Sequence, residues 1–292
     1  MKSKKKRVRE ITDYIKFVFP MLILYILFFI LPLFQTIGYS FTDYNGINPK
    51  KEFTGLTNYF DVFQDKWFYN SMAFTGKSVL LMILLANVLG FLLALALNTK
   101  IRSRNILRAI VFCPFVFNNV TDGFIWQFLL GRFMTDLYPL TGWKVFNIGW
   151  LSDNSLVLYS VVFVKLWQSI GYFMVIYLAG LQLLPQDPLE AAVIDGCTGI
   201  KMIRYITIPL MKPTAFVCIF LAITESLNMF PLIMSLTNGG PGHASENISL
   251  YIYNEAFKSH RMGYASALAV ILTIIMTIIA GLQMKLTRED AG

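Results

Sequence analysis

The sequence predicts an all-α integral membrane protein with six transmembrane helices. Hydrophobic residues make up 56% of its 292 positions and charged residues only 14%, whereas charged residues form about 25% of a soluble domain. The mean hydropathy of +0.58 agrees with this composition. Apolar runs of roughly 20 residues, the length that crosses the hydrocarbon core as a helix, recur along the chain. Composition and run length together exclude a soluble globular fold.

Six apolar runs define the predicted spans. They lie near residues 17–40, 78–97, 109–130, 156–178, 214–236 and 264–282. The first run is too long and uninterrupted for a signal peptide, and no small-residue cleavage site follows it. The third and fifth runs are interrupted by polar residues, namely Asn118, Asn119, Asp122, Glu225 and Asn228.

The distribution of basic residues predicts the orientation. Sixteen Lys and Arg residues fall on the side of the N-terminus and eight on the other side, while Lys165 lies within the fourth span. Because positive residues accumulate on the cytoplasmic side, both termini are predicted to be cytoplasmic. The predicted domains are a basic N-terminal segment 1–16, a six-span permease region 17–284 and a C-terminal tail 285–292. The basic start favours anionic lipid as its partner rather than nucleic acid.

The sequence gives little evidence for a metal site, a disulfide or a nucleotide-binding loop. The three cysteines (Cys113, Cys197 and Cys218) show no pairing pattern, and the chain has two histidines. The "TGKS" at residues 75–78 resembles part of a phosphate loop, but the glycine that such a loop requires is replaced by Ser71 and no strand precedes it. No nucleophile and base stand together. We therefore predict no metal, no catalytic residue and no cofactor bound by this chain.

The segment 187–213 is the least apolar long stretch in the second half of the chain. Asp187 is predicted as a helix N-cap, with Pro188 at the first helical position and Glu190 near the positive end of the helix dipole. Gly196 would end this helix after about two turns, and Thr198 would cap a second short helix that runs to Pro209. The residues alone leave two interpretations open: a connector on the membrane surface, or a knob that docks on a protein.

The sequence "EAAVIDGCTGIKMIRYITIP" resembles the EAA loop of ABC-importer permeases. The matching positions are Glu190, Ala191, Ala192, Asp195, Gly196, Ile206 and Pro209, and the departures are Cys197, Ile203 and Ile208. The segment 236–257, "LTNGGPGHASENISLYIYNEAF", resembles the T-x-G-G-P-G segment of the carbohydrate-uptake branch. Residues 17–20 and 263–270 fit as well. The chain thus resembles a permease subunit of the maltose or multiple-sugar type.

This resemblance implies an importer that hydrolyses ATP on other subunits. The EAA loop would carry a short cytoplasmic coupling helix, between the fourth and fifth spans, that docks on an ATPase. The implied partners are a second homologous permease, two cytoplasmic ATP-binding subunits, an extracellular solute-binding protein, a carbohydrate and the lipid bilayer, with no nucleic acid. The outside loop formed by Asn238, Gly239, Gly240, Pro241 and Gly242 would face the solute-binding protein, although Gly and Pro also simply make turns.

Polar residues inside the spans suggest a substrate path. Glu225, Asn228 and Met229 share one face of the fifth span at spacings of three and four residues, and Ser226 is adjacent. By resemblance, Tyr172, Ser226 and Met229 match positions that contact sugar in a maltose-type subunit. The alternative is hydrogen bonding between helices of the bundle.

The sequence alone does not decide the positions of two further charged residues in the spans. Asp122 and Lys165 either pair inside the bundle or lie near span ends, where Lys165 would extend its ammonium towards the interface.

The alternative function is a stand-alone secondary transporter of small polar solutes, but such proteins usually carry an internal repeat and none is found. A membrane-embedded enzyme lacks an evident set of catalytic groups.

Overall fold

All named elements of the described chain are helices. The computed structural model describes residue 16 and residues 18–99 and 102–289. The predicted N-terminal segment 1–16 lies outside these residues except for Lys16, and the predicted tail is described as far as Glu289. The prediction of an all-α fold is confirmed.

One compact unit comprises residues 1–64 and 252–274. Its first helix, α1 (Val18–Tyr39), is long and apolar enough to cross a membrane, and none of its apolar window is buried within the chain. The turn Ile26–Ile30 inside α1 is π-helical. Such a helix can be stable only where lipid or another protein covers its side chains, because water would solvate them poorly.

The segment that follows α1 is held by hydrogen bonds to its backbone carbonyls within the same unit. The short helix α2 (Thr57–Gln64) carries Asn58, whose Nδ2 donates to the carbonyl oxygens of Ser40 and Thr42, both at 2.9 Å. The amide of Gly263 donates to the Tyr44 carbonyl at 2.7 Å. These bonds satisfy carbonyls that the end of α1 and the loop would otherwise leave unpaired.

The second unit comprises residues 65–251 and 275–292 and begins with a helix longer than predicted. The helix α3 (Lys66–Leu97) has 32 residues, so it extends twelve residues before the predicted span 78–97. The Asp65 side chain caps it by accepting from the Trp67 amide at 2.8 Å. A helix of this length measures about 48 Å, well beyond the roughly 30 Å hydrocarbon core. Hydropathy detects only the part of a helix that lies in lipid, and the predicted span therefore began too late.

The predicted third span is a broken helix rather than a straight one. The helix α4 (Arg104–Phe112) continues through a 3₁₀ turn at Cys113–Val116, and α5 (Asn119–Gln127) follows at a bend of 94° between the two helical segments. The Asn118 side chain caps α5 by accepting from the Val120 amide at 2.8 Å. The polar residues that interrupted the apolar run therefore begin a new helix.

The second half of this broken span continues past its predicted end. A π-helical segment, Phe128–Phe133, leads into α6 (Met134–Thr141), which ends at Gly142 with a left-handed φ of 68°. The next helix, α7 (Val157–Gln182), begins at the predicted fourth span and extends four residues beyond its predicted end. Most of the apolar window of α7 is buried inside the chain.

Helices α4 and α7 cross in backbone contact at Gly171. A Cβ added to Gly171 would lie 2.2 Å from the Val111 carbonyl oxygen and 2.6 Å from the Phe112 Cα. Small residues permit this close approach of helices in membranes, where packing drives association. The contact holds the first half of the broken span against α7.

We expect Gly171→Ala to destabilise the folded chain by about 1–3 kcal/mol, because the methyl group overpacks a contact made by backbone atoms that cannot rotate away. The measurement is the midpoint of thermal unfolding of the purified protein. Gly76→Ala on α3 is the control, since a Cβ there meets nothing within 4 Å. An equal effect of both substitutions would contradict the assigned close contact.

The fifth span is also bent, and short helices precede it. The helices α8 (Gln186–Ile194) and α9 (Ile200–Leu210) occupy the predicted EAA loop. The helix α10 (Lys212–Leu227) follows α9 at an angle of 71° and stops at Asn228, and the residues beyond it form α11 (Phe230–Leu236). The single predicted helix 214–236 is therefore wrong in this detail.

The helix α12 (Ile248–Tyr253) leads into a π-helical segment, Asn254–Lys258, and α13 (Met262–Glu289) follows. A short 3₁₀ helix, Lys144–Asn147, lies between α6 and α7. In the described part of the chain, four helices are long and apolar enough to cross a membrane singly, and the two bent pairs raise the number to six if each pair is one span. The number six agrees with the predicted spans, but in the second pair only α10 lies in the predicted fifth span, since α9 lies in the predicted EAA loop. Broken helices are tolerated in membranes where the freed backbone groups are buried in protein or line a cavity.

Candidate functional site

The first helix of the EAA loop begins earlier than predicted. Pro185, in extended conformation, occupies the N-cap position of α8, and no side chain caps the helix. The prediction that Asp187 is the N-cap is therefore wrong. Asp187 and Pro188 instead lie in the first turn, where a carboxylate interacts favourably with the helix dipole and the missing proline N–H costs nothing.

The end of α8 follows the prediction at Gly196. This glycine has φ of +74°, its amide donates to the Val193 carbonyl at 3.0 Å, and the Cys197 amide donates to the Ala192 carbonyl at 2.8 Å. The two bonds form a Schellman motif, which requires a left-handed residue and therefore favours glycine. The helix thus ends sharply, and the chain turns away from it.

The second helix of the loop does not use Thr198 as a cap. Its N-cap is Gly199, with φ of 60°, and no side chain caps the helix, so that prediction is wrong. A positive φ at this position lets the chain re-enter a helix immediately after the Schellman turn. The helix α9 includes a π-helical segment, Ile203–Thr207, and passes through the exposed Pro209 before it ends at Leu210.

The knob, defined as α8, the turn at Gly196 and α9, presents an open apolar surface. A shallow cavity of about 560 Å³ lies between the two helices, with Leu189, Val193, Ile194 and Met202 in its lining together with Gln186 and Glu190. Ile194 is 86% exposed and Ile200 81% exposed. An exposed cluster of this kind marks a surface that meets a partner.

The EAA residues divide between the surface and the core of the knob. Ala192 is buried, whereas Glu190, Ala191 and Asp195 are exposed. The Asp195 amide donates to the Ala191 carbonyl at 3.0 Å as the helix ends. The buried alanine lets the helix approach the rest of the chain, and the exposed residues remain available to a partner.

A buried ion pair connects α7 and α10. The Lys165 ammonium, whose side chain is 3% exposed, lies 2.6 Å from the Glu225 carboxylate. It also donates to Gln168 Oε1 at 3.0 Å and to Asn119 Oδ1 at 3.3 Å. Three acceptors match the three donors of an ammonium. Lys165 is thus an interior partner, and it does not extend towards the membrane interface.

Asp122 joins the same polar cluster through Gln168. The Gln168 amide nitrogen donates to Asp122 Oδ2 at 2.5 Å and to the Phe117 carbonyl at 3.3 Å. Asp122 is completely buried, and none of the residues that the structure describes gives its Oδ1 a hydrogen-bond partner. The cluster therefore joins α5, α7 and α10 at the bend of the third span.

The predicted substrate-path residues differ in their exposure. Ser226 and Met229 are buried within the chain, and the Ser226 hydroxyl donates to the Ala222 carbonyl at 2.7 Å. Asn228 is exposed, Glu225 is partly exposed beside Lys165, and Tyr172 is partly buried. Of these five residues, Asn228 is thus exposed in this conformation, and Glu225 and Tyr172 are partly exposed. The role of all five in sugar contact stays a prediction.

Two residues of this region, Phe115 and Gln168, were not predicted from the sequence. The Phe115 ring stacks on the Tyr172 ring with centroids 4.5 Å apart and an interplanar angle of 4°, and Gln168 links the two buried charges. A signal was present for Gln168, because Lys165, Gln168, Ser169 and Tyr172 fall on one helical face. No local pattern identified Phe115, since it meets Tyr172 only through the bend of the third span.

The loop 238–242, predicted to lie outside, is folded onto itself. The Ser245 hydroxyl donates to the Gly240 carbonyl at 2.5 Å, and the peptide bond between Gly240 and Pro241 is cis. Asn238 and Gly242 are exposed, with φ of 50° and 52°, while Gly239 is buried. The loop thus presents a defined surface. The described residues contain no group of three or more potential metal ligands.

A known protein family matches most of the chain. Residues 86–288 match the family described as binding-protein-dependent transport system inner membrane component. The chain is 35% identical over 291 residues to a probable starch degradation products transport system permease protein of Thermoanaerobacterium thermosulfurigenes, covering 99% of this chain and 98% of the relative. It is 34% identical over 268 residues to the multiple sugar-binding transport system permease protein MsmF of Streptococcus mutans, covering 92% of each.

Solved structures share the fold over nearly the whole length. The chain matches a subunit of a bacterial ABC transporter involved in the import of alginate with a TM-score of 0.82 and 21% identity, covering 99% of both chains. A second structure, the alginate transporter in complex with a periplasmic protein that holds an alginate pentasaccharide, matches with a TM-score of 0.81. The family match and the relatives confirm what the EAA loop predicted: the chain belongs to the binding-protein-dependent transport system inner membrane components, the permeases of ABC importers.

Proposed function

We propose that this chain is a permease subunit that imports a sugar or oligosaccharide delivered by an extracellular solute-binding protein. The observation that carries the proposal is the knob: an exposed, Gly-terminated helical pair at the end of a membrane-crossing helix. The transport of starch degradation products and of multiple sugars by relatives supports a carbohydrate substrate. The chain itself would be no enzyme, since two partner ATPases would bind and hydrolyse ATP.

The knob is proposed to be the coupling helix. Its apolar cavity and the exposed Ile194 and Ile200 suit a groove on a cytoplasmic ATPase, because burial of these side chains from water stabilises the contact. With the knob in the cytoplasm, the predicted six spans would put both chain termini there as well. A second homologous permease would complete the translocation path, and closure of the ATPases would move the spans as rigid bodies.

The proposed substrate path follows the polar faces of α7 and α10. Aromatic rings suit the C–H faces of a sugar, and amides and carboxylates suit its hydroxyl groups. Tyr172 and Phe115 supply a stacked aromatic pair, while Glu225, which is partly exposed, and Asn228, which is exposed, supply polar groups. Ser226 and Met229 would reach the sugar only in another conformation of the transporter.

The test is purification followed by measurement of ATP turnover. We expect the chain to co-purify with a second permease and a nucleotide-binding protein, and we expect the sugar-loaded solute-binding protein to stimulate ATP hydrolysis. A chain that transports solute alone, with no ATPase and no binding protein, would instead be a secondary transporter.

The outside loop allows a sharper version of this test. Asn238→Arg should weaken stimulation by the solute-binding protein about tenfold and leave basal ATP turnover unchanged, because a bulky charge would stand in the contact surface. His260→Arg is the matched control: both residues are exposed and have φ near 50°. If basal turnover fell together with stimulation, a folding defect would explain the result and the loop would lose its proposed role.

A further inference from the structure

A polar cavity lies at the end of the second unit that carries the start of α7, opposite the knob at the other end of that helix. Its volume is about 470 Å³, within the range of about 300–1,000 Å³ typical of small-molecule sites. Three segments surround it: the part of α3 that precedes the predicted apolar run, the start of α7 with the residues before it, and the loop after α11. Its lining includes Trp67, Asn70, Lys77, Asn154 and Tyr159.

Lys77 supplies the only full charge among the lining residues. Its side chain is exposed, and no ion pair with a carboxylate holds it in the described part of the chain. The nearby Asp153 is not among the lining residues. Its carboxylate is held by Ser155, whose hydroxyl and amide donate to Oδ1 at 2.6 and 2.7 Å and lower the Asp153 pKa. The cavity is therefore suited to an anion.

An apolar track continues from the cavity towards the middle of the membrane. Leu80 and Leu84 follow Lys77 on the same face of α3 at spacings of three and seven residues and are 69% and 60% exposed. On α7, Phe163 follows Tyr159 by one turn, and both side chains are at least half exposed. The two helices pack along each other. A cation at the end of an exposed apolar track complements an amphiphile.

We propose that this cavity binds the phosphate headgroup of an anionic phospholipid in the leaflet opposite the knob. Lys77 donates to the phosphate, the Asn154 amide hydrogen-bonds the glycerol part, and an acyl chain lies along Leu80 and Leu84. Lys77 directly precedes the apolar run 78–97, so its ammonium stands at the depth of the lipid phosphates. The aromatic rings of Trp67 and Tyr159 suit the same interfacial depth.

Native mass spectrometry of the purified transporter complex in detergent with added phosphatidylglycerol tests the proposal. Lys77→Gln should weaken retention of one phosphatidylglycerol about tenfold, because a charge-assisted hydrogen bond is lost. Lys144→Gln, which removes an exposed lysine at another position, should leave retention unchanged. Phosphatidylcholine should bind less well to the wild type. Equal retention by wild type and Lys77→Gln, or equal loss in both variants, would overturn the proposal.

A second variant separates a shaped site from general attraction of lipid to charge. Ala73→Phe fills the cavity from its lining and keeps Lys77, so retention of the lipid should also fall. Inorganic phosphate, glycerol 3-phosphate and maltose at millimolar concentration should not displace the lipid. Displacement by either phosphate compound would identify a site for a soluble anion, and displacement by maltose would identify a saccharide site. Either result would overturn the assignment to a phospholipid.

Discussion

Replacement of Lys165 by methionine is expected to destabilise the folded permease by about 3–5 kcal/mol, the usual cost of removing one member of a buried ion pair. The variant would leave the Glu225 carboxylate without its counterion and would remove a donor from Gln168 and Asn119. The cost should lie near the lower end of this range, because the Glu225 side chain is 26% exposed and water solvates it in part. The measurement is the midpoint temperature at which the purified complex loses its structure.

Two further variants distinguish the ion pair from a general effect of removing a lysine. Lys212→Met, at an exposed position on α10, should change the midpoint little. The double variant Lys165→Met/Glu225→Gln should recover part of the loss, since no unpaired charge remains, with a coupling of about 1–3 kcal/mol. A double variant no more stable than Lys165→Met would contradict the pairing of these two residues.

Gly196→Leu is expected to lower sugar transport per ATP hydrolysed at least about tenfold while the chain still inserts into the membrane. A Cβ at Gly196 meets nothing within 4 Å, so the effect cannot come from a clash. It comes from the φ of +74°, a left-handed conformation that costs a residue with a side chain roughly 1–2 kcal/mol. Leucine would therefore shift the turn and displace the knob from its proposed docking groove.

The control is Gly196→Asn, because asparagine tolerates the left-handed region better than leucine does. It should retain most of the coupling. Transport and ATP hydrolysis are measured together on the complex in vesicles, so that uncoupling is separated from loss of protein. Normal transport by Gly196→Leu would refute the proposal that the knob transmits closure of the ATPases to the spans.

Residue types in the EAA loop predicted one helix end correctly and two helix starts wrongly. Gly196 was predicted correctly because a left-handed helix end has a strong preference for one residue type. The predictions of Asp187 and Thr198 as N-caps were wrong, because a residue that can cap a helix does so only where the backbone begins the helix. The two helices begin instead after Pro185 and Gly199. Cap preferences differ by about 1 kcal/mol, which the surrounding chain readily overrides.

The sequence by itself determined the membrane class, the six apolar runs and the EAA loop. These features depend on hydropathy and on residues close together in the chain, so they are readable without a structure. Polar residues also mark the breaks of the third and fifth spans in the sequence. Whether such residues shorten a span or bend it depends on which neighbouring helix satisfies the freed backbone groups, and the sequence does not show this.

Only the tertiary structure decided how the buried charges and the close helix contacts are arranged. Lys165 and Glu225 are 60 positions apart, as are Gly171 and Val111, and no periodic pattern relates residues at that distance. Their pairing follows from the crossing of α7 with α4 and α10, and the Lys77 cavity likewise needs three distant segments to meet. The physical reason is that an apolar run shows which residues enter lipid, whereas the partner of each polar group depends on how the helices pack together.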